Sequence, residues 1–160
     1  MKRRLLLCAF ALLLSGNAHA AAMCEFLKAL QPHRTDFSSL RGESVAPNKW
    51  KSNVSIDDFP CSLSANNSTL FLNCAHAPLP LDAKAQAIAV FESTVSSAEK
   101  CAAKWIKSRS DLDKYESKNV SLIAPEVPSG VLIELQKGID TTDEKTPWTW
   151  QVTVSFVETQ

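Results

Sequence analysis

The chain has 160 residues, its 17 basic and 17 acidic side chains cancel, and 45% of its residues are hydrophobic. That balance gives no electrostatic case for a nucleic-acid partner or an anionic membrane surface. The apolar content is that of a globular chain rather than a disordered one.

The sequence opens MKRRLLLCAFALLLSGNAHAAA. Lys2, Arg3 and Arg4 precede an unbroken apolar run from Leu5 to Leu14, and Ala18-His19-Ala20 follows as a small-x-small site. This is the pattern of a bacterial secretory signal peptide over 1–20. A spanning helix needs about 20 apolar residues, so the run is too short to remain as one. Cys24 follows Met23 rather than a small residue, which argues against lipidation. Cleavage leaves one domain, residues 21–160, from which Lys2, Arg3 and Arg4 are lost, so 14 basic face 17 acidic side chains for a net −3. The expected location is the periplasm, with secretion as the alternative. No integral membrane segment is expected after cleavage.

Residues 22–31 place Met23, Phe26, Leu27 and Leu30 on one helical stripe that Pro32 stops. Thr35 or Asp36 is placed to cap a short turn carrying Phe37 and Leu40, ended by Gly42. Residues 48–56 read as a strand with Trp50, Val54 and Ile56 on one side.

Next comes PCSLSANNSTLFLNC, residues 60–74. With Asn66 to Thr69 as a hairpin loop, Ala65 faces Leu70, Leu63 faces Leu72 and Cys61 faces Cys74. One register aligns the apolar residues and both thiols, so Cys61–Cys74 is the expected disulfide. Ser62, Ser64, Phe71 and Asn73 point the other way.

Pro78-Leu79-Pro80 reads as a stiff connector. Asp82 is expected to cap a long helix over 83–108, whose stripe runs Ile88, Phe91, Val95, Ala98, Ala102 and Trp105. Cys101 borders that stripe, which leaves Cys24–Cys101 as the second bond. It closes a loop worth roughly 4 kcal/mol of chain entropy, less any strain. A zinc site is the competing use of these four cysteines. Their wide spacing and the isolated His33 and His76 lack the close ligand pairs that zinc sites bring.

Residues 109–129 read as a polar connector with a short strand at 120–123. VLIELQK at 131–137 alternates as a strand, 138–147 is a loop, and 148–157 is a strong strand with Trp148, Trp150, Val152, Val154 and Phe156 on one face. The expected fold class is α+β: an antiparallel sheet of about five strands, covered by the long helix and an N-terminal helix, in the order α-β-β-β-α-β-β.

The early helix with Cys24, FSSLRG at 37–42, a Trp strand, a Cys-to-Cys hairpin and a helix with Cys101 before Trp105 form one pattern. It resembles a group of small exported proteobacterial proteins, and its topology is loosely similar to the small α+β secretion-chaperone fold. The resemblance implies architecture and carries over no functional residue.

Chemistry is sparse. There is no GxSxG, the mature cysteines read as oxidised, and Asp57-Asp58, Asp111/Asp113 and Asp143-Glu144 fall in turn-like segments. Catalysis would require His76 and a carboxylate to meet in one cleft. No catalytic residue, metal or cofactor is assigned. The expected function is a protein-binding module of inhibitor or immunity type, with a secreted toxin or an envelope component as partner. Phe71, Asn66, Asn67 and His76 are the candidate contacts. A small-molecule or lipid carrier, or a secretion-associated periplasmic chaperone, is the alternative.

Overall fold

The computed structural model describes residues 22–30, 37–66, 69–112, 116–125, 129–138 and 148–158. The signal-peptide assignment, Pro32, His33, Asn67, Asp113, Asp143-Glu144 and most of the 138–147 loop lie outside these residues.

Helix α1 covers residues 22–30 and a 3-10 turn covers Ser38–Leu40. Nine strands and one long helix follow. The strands are β1 (Arg41–Ala46), β2 (Lys49–Ser52), β3 (Cys61–Asn66), β4 (Thr69–Ala75) and β5 (Leu79–Pro80), then β6 (Ile106–Leu112), β7 (Ser117–Ile123), β8 (Ser129–Gly138) and β9 (Thr149–Glu158). Helix α2 (Lys84–Cys101) separates β5 from β6. All the strands join one antiparallel sheet in the order β1-β2-β3-β4-β9-β8-β7-β6, and β5 pairs with the start of β9.

This corrects the five-stranded expectation and its element order. The protein is mostly β, and three misread segments account for the difference. Residues 41–46 form an edge strand instead of ending a turn. Leu79–Pro80 is a short strand beside β9 instead of a free connector. The long helix stops at Cys101, and the segment assigned to its end and to a polar connector is the β6–β7 hairpin. The helix N-cap is Ala83, without a side-chain cap, so Asp82 does not serve as one.

Hairpin β3–β4 has the expected register, Cys61 opposite Cys74 and Leu63 opposite Leu72, with Asn66 opposite Thr69 as its last pair. The Ala75 N–H donates to the Pro60 carbonyl, which makes 60/75 a hydrogen-bonded pair. Cys61 and Cys74 are therefore a non-hydrogen-bonded pair, where opposed residues come closest, and their disulfide spans a Cα separation of 4.0 Å. The second disulfide, Cys24–Cys101, ties α1 to the end of α2. Two disulfides fit an oxidising compartment.

The core lies on one face of the sheet. Leu63, Leu72, Val120, Val131, Ile133, Leu135, Val152 and Val154 meet Phe91, Val95 and Ala98 of α2 and Met23, Phe26 and Leu30 of α1. Phe26 packs on Phe156 with ring centroids 5.2 Å apart. Phe91 has no solvent exposure, and burying such a ring contributes about 1.5–3 kcal/mol. Trp150 joins this core and donates its indole N–H to the Leu81 carbonyl, 3.0 Å away. Trp148, expected beside it, is 47% exposed because it precedes the strand. Among the described residues, no helix is long and apolar enough to cross a membrane.

Candidate functional site

A cavity of about 270 Å³ opens between α1, the turn at 56–59, the end of β4 and one flank of α2. Each wall has a local cause. Ile56 and Phe59 exchange two backbone hydrogen bonds and bury both side chains, which pushes Asp57-Asp58 out as the tip of a tight turn. His76 continues the inward face of β4, and its N–H donates to Val152 O at 2.9 Å. Its ring meets Phe59 edge-on at 5.4 Å. On α2, Gln86, Val90, Ser93 and Ser97 follow one another at helical spacing beside the core stripe, and Ala89 and Thr94 flank them.

The walls are pinned by both disulfides. Cys24 adjoins Met23, and Cys101 lies one turn beyond Ser97. Cys61 comes two residues after Phe59, and Cys74 two before His76. The α1 and α2 walls are thus linked covalently, and so are the strands carrying Phe59 and His76.

Hydrogen bonding inside the cavity has a direction. His76 Nδ1 lies 2.7 Å from Ala77 O. A carbonyl only accepts, so Nδ1 carries the hydrogen of this bond. The Thr94 hydroxyl donates to Val90 O at 2.8 Å, which leaves its lone pairs as acceptors. Met23, Ile56, Phe59, Ala89 and Val90 supply apolar surface.

The sequence-derived contacts divide between two faces. His76 lines the cavity. Asn66 is exposed and Phe71 half-buried on the opposite face of β3–β4, where Asn66 stands across from Thr69 and Phe71 across from Ser64. There Ser155 Oγ donates to Asn73 Oδ1 at 3.2 Å. His76 and Asp58 do share one cavity, but the His76 Nδ1–H is directed to a backbone carbonyl rather than to an orienting carboxylate. Ser93, Thr94 and Ser97 escaped sequence analysis. Their signal is a second stripe of small and hydroxyl residues on α2, running straight into Cys101.

A second cluster closes the far end of α2. Glu116 lies 2.8 Å from Lys84 and 3.0 Å from Lys137. Hydrogen bonds from Lys84 and then Lys137 lower its pKa to about 2. Lys84 Nζ also sits 5.2 Å from the Trp150 ring. This arrangement fastens the start of α2 to β7 and β8. Among the described residues, no group of three His, Cys, Asp or Glu side chains is placed to hold a metal ion.

Comparison with known proteins finds no matching family model, no matching curated protein and no matching solved structure.

Proposed function

We propose that the chain is a periplasmic protein-binding module of inhibitor or immunity type, acting by contact on a secreted toxin or an envelope component and catalysing no reaction. The observation that carries this is the size and framing of the cavity. Its 270 Å³ is below the range of about 300–1,000 Å³ that holds drug-sized ligands, and exceeds the 150 Å³ or so that takes one benzene. That is room for one side chain of a partner rather than for an acyl chain. The helix–sheet space that a lipid carrier would need is filled by Phe91, Val95, Ile133 and Val154. Two disulfides hold the walls in place, so little entropy is lost on binding.

The test is capture from an envelope and secreted fraction with the oxidised mature protein as bait, repeated with Ala89→Trp. Ala89 is exposed and lines the cavity, so the indole should block it without disturbing the core. A partner held by the wild type and lost by A89W supports the proposal. Capture that A89W leaves unchanged, or no capture at all, refutes it.

A further inference from the structure

We infer that the cavity is the socket for one aromatic side chain, a phenylalanine-type ring presented by the protein partner. This deepens the protein-binding proposal and rests on it for the partner, while the affinity of the cavity for a ring can be measured without one. The cavity is layered. Met23, Ile56 and Phe59 are buried and form its floor, whereas Asp58, Gln86 and Ser93 are exposed and stand at its mouth. An apolar socket inside a polar rim is the anatomy of the few positions that carry most of the binding energy in protein interfaces, and aromatic anchors are enriched at such positions.

The floor disfavours a charged or strongly polar tip. It carries no charged side chain, so a buried ammonium or carboxylate would lose its water with nothing opposite. The Thr94 hydroxyl is bonded to Val90 O of its own helix. Among the described residues, no buried side-chain oxygen that lacks a partner borders the cavity, so no orphaned group there calls for a polar ligand. An apolar tip gives up no hydrogen bond to water on entering and gains the area it covers.

A ring suits the hollow better than an aliphatic tip for two reasons. The 270 Å³ space exceeds the 150 Å³ or so that takes benzene, so valine or leucine would leave more of it empty, and a gap forfeits contacts. Met23 brings a thioether and Phe59 a ring, and both favour an aromatic neighbour over a saturated one. Phe59 is already held edge-on against His76 at 5.4 Å, in a turn closed by its two backbone hydrogen bonds with Ile56. Its ring is therefore in place before a partner arrives, which lowers the entropy lost on binding.

The test is an NMR titration of the oxidised mature protein with N-acetyl-phenylalanine amide, N-acetyl-cyclohexylalanine amide and N-acetyl-lysine amide. The phenylalanine derivative should bind saturably and shift the signals of Met23, Phe59 and Thr94. The cyclohexyl derivative keeps the bulk without the π-electrons, and it should bind roughly 2- to 10-fold more weakly, the ratio that ring contacts supply. The lysine derivative should not bind. A89W should abolish binding, because the exposed wall position 89 would put its own indole in the socket. Ser62→Trp, exposed on the opposite face of β3, should leave binding unchanged. Equal or tighter cyclohexyl binding, saturable lysine binding at the same signals, shifts confined to another surface, or no saturable phenylalanine binding would each overturn the inference. Phenylalanine binding without any captured partner would support this site and count only against the protein-binding proposal. Partner capture that depends on Ala89, without phenylalanine binding, would do the reverse.

Discussion

Arg109 on β6 grips Glu92 on α2 with both ends of its guanidinium, Nη2 at 2.5 Å and Nη1 at 3.2 Å from the two carboxylate oxygens. Lys107, two residues earlier on the same inward face, pairs with Glu99 of the same helix. The last strand of the sheet thus turns charged rather than apolar side chains toward the helix. Inward charges are also a device by which edge strands resist pairing with other chains.

A double-mutant cycle on Arg109 and Glu92, each replaced by alanine, should give a coupling of about 0.5–1 kcal/mol at neutral pH. Both side chains are more than a third exposed, which holds the value within the range of solvent-screened pairs. The hydrogen bond from Arg109 lowers the Glu92 pKa below its ordinary 4.5. The contribution is therefore present above 4.5 and fades as pH falls toward the depressed folded value. Urea unfolding at pH 7 and pH 3 measures it; equal coupling at both would show that the pair is not ionic.

Glu116 should titrate near pH 2, held there by Lys84 and then Lys137. Its stabilising effect is complete above 4.5 and disappears between 4.5 and about 2. Carboxyl NMR should show the low midpoint, and it should rise in Lys84→Met. The group is solvent-facing, so molar salt should raise the midpoint as well. A midpoint near 4.5 in wild-type protein at low salt would mean that the bridge does not form in solution.

The two disulfides should differ in weight. Replacing both Cys24 and Cys101 by serine opens a loop of 77-residue separation, worth about 4 kcal/mol on the chain-entropy account. Replacing Cys61 and Cys74 opens one of 13, worth about 3 kcal/mol. Denaturant midpoints should follow that order. The reverse would show that native-state contacts around the hairpin bond outweigh loop closure.

Phe91→Ala should cost about 3–5 kcal/mol, because the ring is fully enclosed between helix and sheet. Ile106→Lys should change stability by less than about 0.5 kcal/mol, since Ile106 is 62% exposed. Thermal unfolding compares the two. A large loss on I106K would mean that another surface covers the β6 edge.

Much of the core was legible in the residues. Met23, Phe26 and Leu30 fall on one helical stripe, as do Phe91, Val95 and Ala98, and period-two alternation fixed the inward faces of β3, β4, β8 and β9. These patterns are readable because burial selects side chains directly, and a disulfide accepts only one hairpin register. The strands β1 and β6 left no such trace. Residues 41–46 are mostly exposed, and the inward side chains of β6 are Lys107, Arg109 and Asp111. They are strands because of backbone ladders to a neighbour, and a ladder needs no particular side chain.

The cavity was invisible for a related reason. Asp58, His76 and Thr94 lie on three elements far apart in the chain, and each has an ordinary local role in a turn, a strand end or a helix. The amino-acid order by itself set the stapled hairpin with its Cys61–Cys74 bond and the apolar stripes, because those depend on spacing within a segment, and it left Cys24 and Cys101 as the remaining pair. Only the tertiary structure decided the width of the sheet, the end of the long helix at Cys101 and the meeting of Asp58, His76 and Thr94 around one hollow. Those depend on which segments lie side by side, and contact across the chain is not encoded in any local period.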